Sequence, residues 1–586
     1  MQKLKDYIFA FPPYSVAMKT EKEKERMSDD QAFKVCFCFR RIFRLRKSEP
    51  PEDVKELFAK YSDNGTMTIE HFYNFLNEFQ GEKDVTKEEA QNRMNSLKHI
   101  FQRKGLHLDA FFRYLLGDQN PPHISKVHHD MSAPLAHYFM FTGHNSYLTG
   151  NQLNSDSSVV PIIKSLERGV RVIELDLWPN PANDDVDVRH GGTMTSPVKL
   201  ADCLSAIKDH AFKASKYPVV ITFEDHLPSS LQKKVAKMVI NTFGDMLYCP
   251  EVEFMMEFPS PESLKERIMI STKPPENPVS QRVRERQSSK DSANEENWEE
   301  QNNGYEDQQD DRYDDEETAV LEYKKLIAIH ARKPKGKSNM WEVTPLQLRR
   351  LSLSEQELET AAKNHGTDIV RFTQKNLLRI YPKGLRFDSS NYDPMVGWTH
   401  GAQMVAFNMQ GHGKYLRIME GMFRANGGCG YVKKPDILLN STEVFNPHVN
   451  LPVQKKLKIK VYMGEGWDSD FRRTHFDRFS PPDFFTKVSI AGVPSDIRSH
   501  KTKTIEDQWI PVWNEEFEFP LSVPELAVLL IQVLEYDTSG KHDFGGQICL
   551  PVSELRTGIR AVSLHNRKGE KYRSVRLLMR FEFVKV

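Results

Sequence analysis

Between positions 141 and 226 four polar clusters each arrive at the end of an apolar run. YFMFTGHNSYL carries His144 and Asn145, RVIELDLW carries Glu174 and Asp176, DVRHGG carries His190, and YPVVITFEDH carries Glu224. Two histidines, three carboxylates and an amide sharing one cavity would make a metal-assisted acid/base site. Carboxylate and amide oxygens are hard donors that suit Ca²⁺ or Mg²⁺ over zinc, and spacing alone does not separate those two ions. Two histidines beside such an ion suit phosphoryl chemistry, one stabilising charge on phosphorus and the other protonating a leaving oxygen. One strand-end His or Glu is commonly structural. Four such ends that converge carry the reading.

Convergence needs elements to position it. The apolar runs have strand character and are followed by turn-prone or polar residues. Alternation places Glu174 and Asp176 on one face of their strand. The helical stretches SSVVPIIKSLERG and KLADCLSAIKDHAFKAS lie between the strands, which predicts βαβ units of a parallel sheet. In an α/β barrel the C-terminal strand ends meet at one mouth, where active sites lie.

The chain has 586 residues, enough for three or four domains. Its 81 basic and 81 acidic side chains cancel, so no overall charge draws it to nucleic acid. Six cysteines without a C-x-x-C spacing fit a reducing cytosol. No apolar run approaches the ~20 residues that span a bilayer, so membrane contact is expected to be peripheral.

Residues 1–26 read as a disordered extension. CFCFRRIFRLRK, with Cys36 and Cys38, reads as the first helix of a small helical module, with a lipid-facing, S-acylated segment as the sharper alternative. PEDVKELFAKYSDNGTMTIEHFYNFLNEF has an EF-hand outline, but placing Gly65 at the sixth loop position puts Lys60 first and His71 twelfth, where a bidentate glutamate is needed. LKHIFQRKGLHLDAFFRYLL reads as a second degenerate hand. Residues 291–317 hold thirteen acidic side chains and one arginine, a composition that predicts disorder and repulsion from anionic bilayers. ARKPKGKS loosely matches a phosphate-binding loop, but Ala331 and Pro334 argue against one, so its lysines are expected to face an anionic surface. His400 and His412 read as packing or surface residues. SLSEQELETAAKNHG predicts a helix opening after a serine. From about position 455 short alternating strands with turns between them predict an antiparallel β-sandwich, with Asp477, Asp483, Glu535, Asp537 and Asp543 in its loops.

FTGHNSYL, VRVIELDLW, HGGTMTSP and YPVVITFEDH resemble the X region of eukaryotic phosphoinositide-specific phospholipases C. RIYPKGLRFDSSNYDP and NGGCGYVKKP resemble their Y region, while SPPDFF and LEYDTSGKHDFGG resemble the calcium-binding loops of C2 domains. The likeness runs from about position 27 onward and is greatest to the plant members. It implies a multidomain α/β plus all-β chain. An EF-hand-like helical module would occupy 27–118 and the X half of a split TIM-like (β/α)8 barrel 122–274. An acidic linker (275–319), the Y half (320–440) and a C2 β-sandwich (441–586) would follow. No room is left ahead of the module for the pleckstrin-homology domain of the animal members.

The resemblance further implies calcium held by Asn145, Glu174, Asp176 and Glu224. His144 would stabilise the crowded phosphorus, His190 would protonate the departing diacylglycerol oxygen, and Glu174 would also serve as general base. Headgroup recognition falls to Lys273, Ser352, Arg379 and Tyr381. In STKPP, Ser271 stands where many animal relatives have a lysine, which weakens the expected grip on a ring phosphate. The membrane-dipping rim matches at Leu153, Met194 and Leu385, with Gly192 in place of an aromatic. The C2 loops would bind calcium through Asp477, Asp483, Glu535, Asp537 and Asp543, with Phe484, Phe485 and Phe544 entering the headgroup boundary. The expected partner is an anionic, phosphoinositide-containing membrane, met by a monomer at the cytoplasmic face of the plasma membrane. A glycerophosphodiesterase and a catalytically silent lipid-binding scaffold are the competing readings.

Overall fold

The computed structural model describes residues 30–36, 39–44, 48–98, 105–251, 255–275, 321–332, 340–341, 348–472, 475–477, 479–538 and 540–586. The expectations for residues 1–26, for Cys38, for the acidic stretch 291–317 and for most of ARKPKGKS lie outside the described residues.

The first described segment corrects an expectation. Asp30–Cys36 and Phe39–Arg44 form an antiparallel hairpin rather than a helix. Phe33 and Val35 stand two apart on the first strand, and Phe39, Ile42 and Phe43 lie on the second; β-branched and aromatic residues favour a pleated strand.

Helices Glu52–Lys60, Ile69–Asn74, Lys87–Lys98 and Leu108–Leu116 build the module that follows. Met67 and Leu106 exchange backbone hydrogen bonds of 2.8 and 2.9 Å, pairing its two loops as a two-residue bridge. His71 is the N3 residue of a capping box with Thr68, and its Nε2 lies 3.4 Å from Asp63 in the first loop. A ring nitrogen, not a bidentate carboxylate, closes that loop. The module's aromatic core is continuous with Tyr462, Met463, Ile559 and Leu578 of the sandwich. Buried Glu82 ties the seam further, accepting from Arg93, Arg556 and Arg560 at 2.5–2.7 Å.

Eight parallel strands then form the barrel: Thr142–Gly143, Val172–Pro179, Val219–Asp225, Ile268–Thr272, Ile327–His330, Arg350–Ser354, Leu377–Tyr381 and Met404–Phe407. Seven neighbours pair in parallel along the sheet, and a parallel bridge between Ala331 and Arg350 closes the ring between the fifth and sixth strands. Helices Val159–Glu167, Leu200–His210, Ser229–Phe243 and Glu355–Thr373 cover the outside. The last opens as the sequence predicts: Ser354, at the end of the sixth strand, accepts from Glu357 N and forms a capping box with it. At the opposite end of the barrel from the mouth, Tyr138–Met140 pairs antiparallel with Tyr431–Lys433. There the fully buried Arg171 donates to the carbonyls of Leu166, Val170, Ala211 and Ser215 at 2.6–3.1 Å. That network anchors the second barrel strand.

DVRHGG departs from the βαβ expectation. Val186–Val188 runs antiparallel to the second strand, Leu177 opposite Val188, and pairs onward with Val198–Lys199. Only six residues separate Pro179 from Val186, too few for a parallel crossover, so His190 reaches the mouth on a hairpin excursion.

The C-terminal unit is a sandwich of two four-stranded antiparallel layers. One holds Arg498–Lys501, Phe484–Ala491, Val528–Glu535 and Asp543–Pro551; the other holds Gly558–His565, Lys571–Lys585, Lys455–Glu465 and Val512–Leu521. A single residue pair, Gln547 with His565, links the layers along the sheet, and Trp467, Trp513, Phe519 and Phe581 fill the space between them.

Candidate active site at the barrel mouth

Parity decides what each barrel strand shows the axis. On the second strand Ile173, Leu175 and Leu177 join the core beneath the helices. Val172 instead packs with Val220, Met269, Leu377 and Met404 in an apolar inner layer. Glu174 and Asp176 share Val172's side of the strand, one and two steps nearer the mouth. Register sets Asp176 opposite Glu224 on the third strand. Carboxylate oxygens of Glu174, Asp176 and Glu224 accordingly lie within 4.8 Å of one another.

Asn145 completes the donor set. It turns at φ 42°, a conformation asparagine tolerates. Its backbone N–H donates to Glu174 Oε2 at 3.1 Å, and its side-chain nitrogen donates to Gln152 Oε1 at 3.0 Å. With that nitrogen committed, the amide oxygen is the atom left to ligate. Tyr147 donates to Asp176 Oδ2 at 2.8 Å, while Asp176 Oδ1 is buried without a hydrogen bond. Burial first, then Glu174 and Glu224, raise the Asp176 carboxyl well above the ordinary range. An orphaned carboxylate oxygen amid like charges is a place for a cation, and four oxygen donors fit a hard divalent ion.

Burial also raises Glu174, but Arg379, and then His144, outweigh it and hold the carboxyl low. Arg379 is buried and forms an ion pair with Glu174. Its neighbour Arg350 is held down to about 9 by burial and then by Arg379, and donates to Thr222 Oγ1 at 3.1 Å. The inner mouth is thus a mixed-charge site in which each sign limits the other.

Both histidines have an assigned tautomer. His144 Nδ1 lies 3.0 Å from Asn408 Oδ1, an acceptor, so Nδ1 carries the proton; its Nε2 lies 4.0 Å from Glu174 Oε2. His190 Nδ1 donates to the Gln152 carbonyl at 2.8 Å. Gln152 therefore orients both rings. Its carbonyl holds His190, and its Nε2 donates to Asn408 Oδ1 at 3.1 Å and to Ser389 Oγ at 2.8 Å. Burial pushes the His144 ring below the usual histidine range, against the opposing charge of Glu174.

Two adjoining cavities make the mouth. One, of about 450 Å³, is lined by His144, Asn145, Gln152, Asp176, His190 and Glu224. The other, of about 240 Å³, is lined by Glu174, Lys273, Arg332, Ser352, Arg379 and Tyr381. His144, Glu224 and Tyr381 border both. The structure thus brings the barrel residues expected to hold metal, act on the substrate or hold the headgroup to one place. The Arg379 guanidinium stands 5.6 Å from the centre of the Tyr381 ring. Ser271 is buried in the wall and donates to the Ile329 carbonyl at 3.1 Å. His226 stacks on Trp178 with ring centres 4.0 Å apart and places Nε2 3.2 Å from Glu224. A Cβ on Gly191 would sit 2.0 Å from that Trp178 ring, so the turn after His190 needs glycine.

Around the mouth Leu153, Met194 and Leu385 are exposed, Met194 by 80% and Leu385 by 72%. Phe387, which sequence reasoning missed, joins them. Arg386, between Leu385 and Phe387, makes a bidentate pair with buried Glu355 at 2.6 and 2.7 Å, holding this loop to the barrel. Gln152, Asn408, Arg350 and Arg332 were also missed. No local pattern marks the first three, because each acquires its role from a partner on another strand or loop, and Arg332 enters only as a lining of the smaller cavity.

The sandwich tip is arranged differently. Asp477, Asp483, Glu535, Asp537 and Asp543 are near enough to repel: burial, then Asp477, Asp543, Asp483 and Asp537, push Glu535 up to about 8. Among the described residues, however, no three of their oxygens cluster as the barrel trio does. Asp483 Oδ1 accepts from Asp507 N at 2.7 Å, and Asp477 accepts from Ser480 Oγ at 3.2 Å. Phe484, Phe485 and Phe544 correct an expectation. All three are buried, Phe484 against Trp467, because they already belong to the strands Phe484–Ala491 and Asp543–Pro551. The exposed aromatics near the loops are Phe479 and Tyr536. His400 is buried and its Nδ1 donates to the Val396 carbonyl, a packing role, while His412 is exposed.

The chain matches four family models: the phosphatidylinositol-specific phospholipase C X domain over residues 131–274 and its Y domain over 325–437, the C2 domain over 455–568, and the phosphoinositide-specific phospholipase C EF-hand-like domain over 48–121. It is 58% identical to phosphoinositide phospholipase C 2 of Arabidopsis thaliana, covering 94% of this chain and 100% of that one. To the 1-phosphatidylinositol 4,5-bisphosphate phosphodiesterase delta-4 of Xenopus laevis it is 30% identical, covering 89% of this chain and 70% of that one. Among solved structures, L. pealei PLC21 superposes with a TM-score of 0.70 at 26% identity, covering 91% of this chain and 68% of that one.

Proposed function

The chain belongs to the phosphoinositide-specific phospholipase C family, and from that premise we propose calcium-dependent cleavage of phosphatidylinositol 4,5-bisphosphate, and of less phosphorylated phosphoinositides, to diacylglycerol and inositol phosphate. The convergence of Glu174, Asp176 and Glu224 beneath two oriented histidines carries the proposal. Those carboxylates and Asn145 would hold a calcium ion, whose charge, when bound, would offset theirs and make the inositol 2-hydroxyl more acidic.

The chain's own groups do the rest. Glu174 takes the 2-hydroxyl proton as oxygen attacks the neighbouring phosphorus. Arg379 pairs with Glu174, so a ring phosphate that engages the guanidinium would relieve Glu174 of the partner that lowers its basicity. As the imidazolium, with Nδ1–H fixed on Asn408, His144 would donate Nε2–H to the phosphoryl oxygen as its charge grows, the approaching anion opposing the burial that otherwise keeps the ring neutral. His190, with Nδ1–H fixed on the Gln152 carbonyl, delivers a proton from Nε2 to the departing diacylglycerol oxygen. The cyclic phosphate is then opened by water, with His190 acting in reverse as base. Lys273, Ser352, Arg379 and Tyr381 hold the headgroup, arginine as a planar fork and lysine as a point charge.

Among the described residues no helix is long and apolar enough to cross a membrane. We assign docking to the exposed apolar rim of Leu153, Met194, Leu385 and Phe387 and to the sandwich tip, and propose the cytoplasmic face of the plasma membrane, where the lipid substrate would be met. Inositol phosphate release from mixed phosphoinositide vesicles, measured with calcium and with chelator, tests the reading. Folded protein that releases none with calcium present would refute it.

A further inference from the structure

Glu554 sits in the turn Val552–Glu554 of the sandwich with its side chain 1% exposed. Both carboxylate oxygens meet histidines of the segment that enters the barrel: Oε1 lies 3.0 Å from His129 Nε2, and Oε2 lies 3.4 Å from His128 Nε2. One ligand atom from each residue lies within 4.8 Å of the others. Asn426, fully buried, accepts the backbone N–H of both His128 and His129 at 2.9 Å, so the pair rests on a fixed platform.

The tautomers show what is missing. His128 Nδ1 is 3.0 Å from the Lys126 carbonyl and must donate to it. Its Nε2 therefore turns a lone pair toward Glu554 Oε2, which is buried without a hydrogen bond. Two acceptors facing each other require a cation between them, either a proton or a metal ion. A carbonyl acceptor behind the ring is the support that ligating histidines commonly have.

We propose that His128, His129 and Glu554 bind a borderline divalent cation of the zinc type at the seam between barrel and sandwich. Two ring nitrogens and a carboxylate are a zinc-type donor set, unlike the all-oxygen set at the barrel mouth. Bonds of about 2.0–2.1 Å in tetrahedral geometry separate ligand atoms by roughly 3.3–3.4 Å, so an ion would draw onto one carboxylate oxygen two ring nitrogens that now lie 3.0 Å from Oε1 and 3.4 Å from Oε2. His128 is more than one-third exposed, which leaves an entry path and a fourth position for water. His129 is the weaker ligand. Its Nδ1 accepts from Lys433 N at 3.2 Å, so its Nε2 carries the proton, and ligation moves that proton to Nδ1 at the expense of the Lys433 contact. The bound ion joins the barrel's entry segment to the sandwich without touching the catalytic mouth.

The test uses the full chain, stripped with chelator, dialysed, and supplied with calcium to occupy oxygen sites. Cobalt(II), a spectroscopic stand-in, should give a four-coordinate visible band at one equivalent, displaced by Zn²⁺. His128→Asn should weaken cobalt binding by at least about tenfold, His129→Asn by less, and His412→Asn not at all. Zn²⁺ should raise the thermal midpoint of the wild type and not of His128→Asn, whose exposed position makes it safe to fold. Hydrolysis of a soluble substrate should be unchanged in that variant. No band, or a band that survives both His128→Asn and His129→Asn, would overturn the site and leave a proton between these groups.

Discussion

The barrel mouth and the sandwich tip both gather carboxylates, and they do so by different means. At the mouth, Glu174, Asp176 and Glu224 project from strands whose ladder fixes their spacing, and Arg379 and Arg350 stand beside them. At the tip, acidic groups lie on or beside loops, and their mutual repulsion adds to burial until Glu535 is pushed up to about 8. Strands deliver donors already within ligand distance of one another. Loops deliver charge, which an arriving ion must still draw together. The mouth is built for positioning, where small displacements cost large factors in rate; the tip gathers charge without a fixed spacing.

The largest effect should come from breaking the mouth. Glu174→Gln removes a metal ligand, the proposed base and the partner of Arg379 together, and should lower turnover by ~10²–10⁴-fold in a folded protein. Near wild-type rates at saturating calcium would show that the trio is not the site. Next, the two histidines should separate by leaving group. His190→Ala, predicted to lose about 10²-fold or more on lipid, should recover on a substrate whose leaving group needs no proton, whereas His144→Ala should not. Equal recovery of both would contradict the roles proposed for them.

Positioning comes third. Gln152→Ala removes the link to Asn408 that orients His144 but keeps the carbonyl that holds His190. A loss of ~10–100-fold in kcat with little change in KM is expected, and a normal kcat would show that Asn408 suffices alone. At the tip, changing Asp483, Asp537 and Asp543 together to Asn should weaken calcium-dependent vesicle binding by about tenfold while soluble-substrate turnover stays within about twofold, an effect confined to docking. Calcium-independent binding of the wild type would refute that division.

The smallest effect distinguishes the two regions by sign. Glu535 is raised from an ordinary carboxyl value of about 4.3 to about 8. Between those values the native state keeps a proton that the unfolded chain releases, so this contribution to stability is full below the unfolded value and lost as pH rises through the folded one. Without calcium, Glu535→Gln should therefore stabilise the protein more at about pH 9 than at about pH 5, read as thermal midpoints. Glu174, whose carboxyl is held low by Arg379, contributes in the opposite direction, losing its share as pH falls through its folded value. An equal shift for Glu535→Gln at both pH values would mean that the tip's charges are screened by solvent.

Much of this protein was legible in its sequence because periodicity is local. Period two alone put Glu174 and Asp176 on one face, the serine before SEQELE marked a helix start, and the phospholipase motifs named the positions that meet at the mouth. Local pattern also misled where tertiary context outweighed it. CFCFRRIFRLRK folds partly as a hairpin, His190 arrives on an antiparallel excursion, and of the three tip phenylalanines Phe484 turns into the sandwich core while Phe485 and Phe544 are covered on its outside by His542 and Arg567. Some features were decided by the closed barrel alone. Gln152 and Asn408 are 256 residues apart yet share one hydrogen bond that orients His144, and Arg379 reaches Glu174 across the ring. His128 and His129 meet Glu554 only because the entry segment lies against the sandwich. A sequence determines which groups a strand or helix will present. Which groups then neutralise or orient one another depends on distances of a few ångströms between segments hundreds of residues apart, and those distances exist only once the cores have packed.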